Sequence, residues 1–179
     1  LKTGDARPLA GIFYHNAIDI LSLAGLFSHT AYLLHDPLSK EIQYHEDVVS
    51  LARFFESLGD IPQTAALYQE SLTLKLDESL YWDTLSRFSF LQKRREDWAS
   101  ALALWEMAAD NNFLYAFEEL AKYFEHRVKY LETALNWTIR ALEVLEKQHY
   151  TSYDYQNWRE SLEHRLNRLQ RRLARKENE

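Results

Sequence analysis

His15 and Asp19 stand four residues apart in a stretch patterned for a helix, so one helical face carries an imidazole beside a carboxylate. That pairing can bind a divalent metal and position a water for attack on a phosphodiester, provided further carboxylates complete the site. The sequence supplies no obvious strand region to hold them. The seven histidines make no metal-ligand spacing, and His45-Glu46 lacks the second histidine of a zinc-protease helix. With no cysteine there is no thiol nucleophile, Cys-based zinc site or disulfide framework. Four glycines in all leave no Gly-rich phosphate loop. The chain is therefore expected not to be a self-sufficient enzyme.

A second set of charged groups sits near the C-terminus. The net charge is −6, yet residues 158–179 carry +3 against −9 for the remainder. Arg165, Arg168 and Arg172 are the candidates there for contact with nucleic-acid phosphates, and a solvated face on a terminal helix is the competing reading. An acidic body with a basic tail is not the charge distribution of a dedicated nucleic-acid groove.

The elements that must position these groups are helices. Hydrophobic residues make up 46% of the chain and aromatics 14%, enough for one sizeable core, and no proline follows Pro62. A period near 34 residues runs through the middle. Leu51-Ala52, Leu85-Ser86 and Leu120-Ala121 recur at spacings of 34 and 35, and the position four after each Leu holds Phe55, Ser89 and Phe124. Independently, Thr64, Tyr68 and Ser71 align with Ala101, Trp105 and Ala108, and with Ala134, Thr138 and Ala141. Small residues seven apart with a bulkier one between let two helices approach closely. The second-helix anchors are 37 and then 33 residues apart, which places about three extra residues in the turn near Lys93-Arg94-Arg95. A last helix over roughly 153–175 carries the apolar stripe Trp158, Leu162, Leu166, Leu169 and Leu173, with arginines on its other faces. The five tryptophans fall mostly at core spacing.

These registers resemble tetratricopeptide repeats. The resemblance implies an all-α, right-handed superhelix of antiparallel helical hairpins with a C-terminal capping helix. It also implies a concave groove faced by Arg53, Arg87 and Lys122, a basic column suited to a protein partner, through an acidic peptide or a C-terminal carboxylate. Asp83 and Glu118 precede Arg87 and Lys122 by four residues, the ordinary arrangement of surface helix pairs, so the column also has a bland explanation. The Asn-rich carboxylate clamp of chaperone-binding repeats is not reproduced.

Residues 8–35 read as a helix opening near Pro8 and ended by the turn formers from His35 to Lys40. Leu1, Thr3-Gly4-Asp5 and the string Tyr14-His15-Asn16-x-x-Asp19-Ile20-Leu21-Ser22-Leu23 resemble the last motif of an RNase H-like 3′–5′ exonuclease of the YprB type. The resemblance implies that Asp19 is the last metal-binding carboxylate, that His15 orients the attacking water, and that Mg²⁺ or Mn²⁺ serves the parent enzyme. Ala17, Leu21 and Ala24 equally reproduce the spacing of a second repeat helix, so this segment also reads as a partial hairpin capping the stack. The expected organisation is residues 1–36 as an N-terminal helix at the end of an RNase H-like domain, 45–150 as three degenerate repeats, and 151–179 as the capping helix.

The start, lacking an initiator Met, reads as that of a fragment. No apolar run approaches the roughly 18 residues of a membrane span, so the expected compartment is the cytoplasm, with no membrane partner. The functional expectation is an interaction scaffold at the C-terminus of a bacterial exonuclease, docked on its own upstream catalytic domain and reaching nucleic acid through it. The alternative is a free-standing scaffold with no nuclease link.

Overall fold

The structure, a computed structural model, describes residues 9–39 and 44–177. Residues 1–5, Pro8 and Lys40, used in the sequence reading, lie outside the described residues. Every regular element among the described residues is helical, so the fold is all-α. The chain divides into two compact units, Leu1–Leu76 and Asp77–Glu179.

The first unit holds α1 (Ala10–His35), α2 (His45–Leu58) and α3 (Ile61–Ser71). α2 and α3 form a hairpin. Val48, Val49, Leu51 and Ala52 are buried on α2, and Ala65, Leu67 and Tyr68 on α3. The turn between them has two residues, each with a distinct task. Gly59 adopts φ 76°, a left-handed conformation that costs glycine little, and ends α2 with the Gly59 and Asp60 amides donating to the Glu56 and Phe55 carbonyls. Asp60 then caps α3, its carboxylate accepting from the Gln63 amide at 3.2 Å, with Pro62 in the first turn where a missing N–H costs nothing.

α1 departs from this pattern. It has no buried residue: Phe27 is 77% exposed and Leu21 67%. The expectation that no segment is long and apolar enough for a membrane is corrected here, because α1 meets that description by length and composition. His15, Asn16, Asp19, Ser22 and His29 break its apolar run in sequence, yet the 26-residue helix remains apolar on average.

The second unit comprises α4 (Glu78–Arg94), α5 (Trp98–Asp110), α6 (Leu114–Lys122), which continues as a π-helical segment Tyr123–Val128, then α7 (Leu131–Lys147) and α8 (Ser152–Glu177). The main packings join sequence neighbours, α4 with α5, α5 with α6, α6 with α7 and α7 with α8. The α4–α5 turn repeats the logic of the first hairpin. Glu96 stands at φ 60° with its amide donating to Lys93, the Asp97 amide donates to Gln92, and the Asp97 side chain caps α5 through the Ser100 amide at 3.2 Å. The three extra residues expected in this turn are distributed otherwise. α4 runs nine residues beyond Leu85 where α2 runs seven beyond Leu51, so two of the three are helical and only one lengthens the turn.

Ser89, the small member among Phe55, Ser89 and Phe124, is explained by its partner. Trp105 fills the core of the α4–α5 hairpin, fully buried, and its indole Nε1–H donates to Ser89 Oγ at 3.1 Å. A phenyl ring at 89 would compete for that space and remove the acceptor. The α6–α7 pair reverses the sizes at the matching two positions, with Phe124 in the π segment that continues α6 and a buried Thr138 on α7. Trp105→Ala is expected to destabilise the second unit by about 3–5 kcal/mol through loss of packing and the residual cavity. The exposed control Tyr153→Ala should change stability by less than about 0.5 kcal/mol. Urea denaturation followed by helical circular dichroism measures both.

Candidate anion-binding cleft

The π segment ends the first helix of the third hairpin and turns Glu125 inward. Glu125 is 1% exposed, an unusual place for a carboxylate. α8 brings three guanidinium groups to it, spaced 165, 168 and 172 along one helical face. Arg165 Nη1 donates to Oε2 at 2.7 Å, Arg168 donates through Nε to Oε1 at 2.9 Å and through Nη2 to Oε2 at 2.7 Å, and Arg172 Nη1 donates to Oε1 at 3.0 Å. Each carboxylate oxygen thus accepts two charge-assisted hydrogen bonds. His126 Nε2 lies 3.6 Å from Oε2. Burial alone would push the Glu125 carboxyl up, but the hydrogen bond and charge of Arg168, with the charges of His126 and Arg165, outweigh it and hold the group below its ordinary value of 4.5.

Beside this cluster the second unit opens a cleft of about 530 Å³. Trp98, Trp105 and Tyr123 form an aromatic wall; the Trp98 and Tyr123 rings lie 5.5 Å apart at 35°, and the Arg127 guanidinium covers Trp98 at 4.8 Å. Lys93 from α4 and Lys122 from α6 both pair with Glu119, Lys122 at 3.0 Å, and Lys122 also reaches Glu118 at 2.9 Å. Partial burial would lower the Lys122 ammonium, yet its bonds to Glu118 and Glu119 raise it above its usual range and keep it charged. Arg165 and Arg168 complete the lining from α8. Five Lys and Arg side chains therefore line the cleft, with Glu119 as the single acid on its wall. Two donors near it, Trp98 Nε1–H and Arg165 Nε–H, are buried without a hydrogen-bond partner.

This geometry joins residues that sequence reasoning kept apart. Lys122, expected in a peptide groove, and Arg165 and Arg168, expected on a phosphate-binding face, line one cleft. Arg159, Arg171, Arg172 and Arg175 occupy exposed positions of α8, and the departure from the expected outer-face placement is Arg165. Arg165 lies on the buried face between Leu162 and Leu169, 8% exposed, and all three guanidiniums bind Glu125. Arg87 pairs with Asp83 at 2.9 Å, both half exposed. Arg53 belongs to the first unit and Arg87 and Lys122 to the second. His15 and Asp19 are exposed on α1, on one face as expected. No third metal-ligating group joins them, since no cluster of three or more His, Cys, Asp or Glu occurs among the described residues. By themselves they do not fit a two-metal site.

Sequence reading overlooked Glu125, Lys93, Trp98 and Arg127 as site residues. A signal for Glu125 was present: Phe117, Ala121 and Glu125 are spaced by four, and the first two are core residues, so the third points into the same interior.

No family model matches the chain, and no solved structure matches it. Among curated proteins it is similar to a bacterial one, described as "Uncharacterized protein YprB", of Bacillus subtilis (strain 168), 29% identical over 143 residues. The match covers 75% of this chain and 33% of the relative, so the chain corresponds to about a third of that protein's length.

Replacing Glu125 by Gln removes the one carboxylate that all three guanidiniums share, one of them buried, and is expected to cost about 3 kcal/mol in urea denaturation. Because the folded-state pKa is depressed, the stabilisation from Glu125 is complete above pH 4.5 and is lost as pH falls through the lower folded value. Stability measured from pH 6 downward, in about half-unit steps, should show this acid loss in the wild type, and Glu125→Gln should lack that component.

Proposed function

We propose that this chain is a helical-repeat interaction module of tetratricopeptide type, working as the C-terminal part of a larger protein with RNase H-like exonuclease chemistry. The observation that carries the reading is α1. A helix that is apolar around its circumference is ordinarily enclosed on all sides, and α1 has no buried residue and is exposed from Ala10 to Tyr32. Further polypeptide packed around it would bury Phe13, Ile20, Leu23 and Phe27 and would bring its own groups to the face that holds His15 and Asp19. The similarity to a longer protein, of which the match spans 33%, is in keeping with such an addition. So is the resemblance of residues 14–23 to an exonuclease motif, in which Asp19 on its helix contributes one carboxylate and strands of the parent protein the rest. The repeats then serve as the docking body for that catalytic part and for a protein partner.

A second reading, that α1 crosses a membrane, is favoured by its length and composition. Asp19 counts against it, since a carboxylate within a spanning helix costs about 3 kcal/mol near the bilayer centre.

The test uses the full-length parent protein. Strands upstream bearing an Asp-x-Glu pair and a further Asp are expected. Cleavage of single-stranded DNA with Mn²⁺ should fall about a hundredfold or more on Asp19→Asn. Undiminished cleavage removes Asp19 from any catalytic role, and recovery of the protein in carbonate-washed membranes supports the spanning helix instead.

A further inference from the structure

We infer that the cleft between α4, α5, the π segment and α8 receives a protein segment that presents an apolar side chain next to an acidic one. The inference rests on the interaction-module reading and supplies the chemistry of its partner.

Charge is the first argument. Three guanidiniums surround one carboxylate at Glu125, and Lys93 and Lys122 face Glu119, with Glu118 beside Lys122. Arg127 adds a cation engaged with an aromatic ring and not with an acid in the contacts just described. The region is left net positive in a partly buried setting, where one or two further carboxylates would gain charge-assisted bonds. The unpartnered donors on Trp98 and Arg165 point the same way, since a buried N–H without an acceptor is a standing cost that an incoming anion can relieve after a small side-chain shift.

Shape is the second argument, and it separates a peptide from nucleic acid. Single-stranded nucleic acid is held by open aromatic faces along a continuous cationic track. Here Trp98 is already covered by Arg127 and packed on Tyr123, and Trp105 is fully buried. Glu118 and Glu119 lie directly among the cations and would repel a run of phosphates. A volume of about 530 Å³ suits one apolar and one acidic side chain between the Tyr123 side of the aromatic wall and the Lys122–Arg168 rim.

Fluorescence anisotropy on the full chain at low salt tests this with three labelled probes: a dodecapeptide alternating glutamate with phenylalanine, its glutamine-for-glutamate counterpart, and a thymidine oligonucleotide. The glutamate peptide is expected to bind about tenfold or more tightly than the glutamine peptide, the gain of one or two hydrogen bonds to charged groups. Lys122→Gln and Arg127→Gln, made singly so that Lys93 still neutralises Glu119, should each weaken the glutamate peptide about tenfold. Circular dichroism of each variant should match the parent, and the second variant keeps the test decisive if the first is poorly folded. Peptide binding that ignores both substitutions overturns the cleft assignment while leaving the interaction-module reading intact. Preference for the oligonucleotide, with no peptide bound, overturns both. Binding of none of the probes overturns the inference.

Discussion

A carboxylate at 1% exposure loses almost all of its hydration, and the loss is severe enough that such a group either takes up a proton or finds compensating partners. Glu125 finds three. Four hydrogen bonds from Arg165, Arg168 and Arg172 replace the lost water, and they do so across 40 to 47 residues of sequence. The contact therefore fixes how α8 lies against the third hairpin. Leucines at 162 and 169 supply burial on the same face, but apolar contacts tolerate sliding, whereas four directional bonds to two oxygens do not. The cleft depends on the same contact, because Arg165 and Arg168 line it only while α8 holds this position.

The hairpins are specified by local chemistry of another kind. A left-handed residue followed by aspartate, Gly59-Asp60 and again Glu96-Asp97, ends one helix and starts the next within two positions. Between the helices, complementary sizes settle the packing, with Trp105 against Ser89 in one hairpin and a buried Thr138 at the matching position of the next. Only the first of the two stops uses glycine. Glu96 is a non-glycine at φ 60°, and its conformation is maintained by the two backbone hydrogen bonds that close the turn, donated by the Glu96 and Asp97 amides.

Much of this was legible in the sequence because it is periodic. Leu51, Leu85 and Leu120 are buried, and the small residues of the second helices, Ala101, Ala108, Ala134 and Ala141, are fully so. What escaped was whatever depends on exceptions to period. Glu125 is polar at a core position, and the arginines of α8 looked like an outward-facing set because their partner lies forty residues away. Lys93 and Trp98 flank a turn, where helical spacing no longer says which way a side chain points. The apolar character of α1 was hidden by its few polar residues, which interrupt any count of consecutive hydrophobics without changing the helix average. His15 and Asp19 were placed correctly relative to each other, since an i to i+4 relation needs nothing beyond a helix.

The π segment gives this arrangement an unexpected fragility. A π turn holds more residues per turn than the α-helix that leads into it, in effect a helix carrying one residue in excess. Loss of a single residue between Tyr123 and Glu125 would let the chain return to ordinary α-helical winding with little disturbance to its length. It would also swing the glutamate around the axis by about 100°, out of reach of the arginines. The register of that one turn thus sets whether Glu125 meets the arginines of α8.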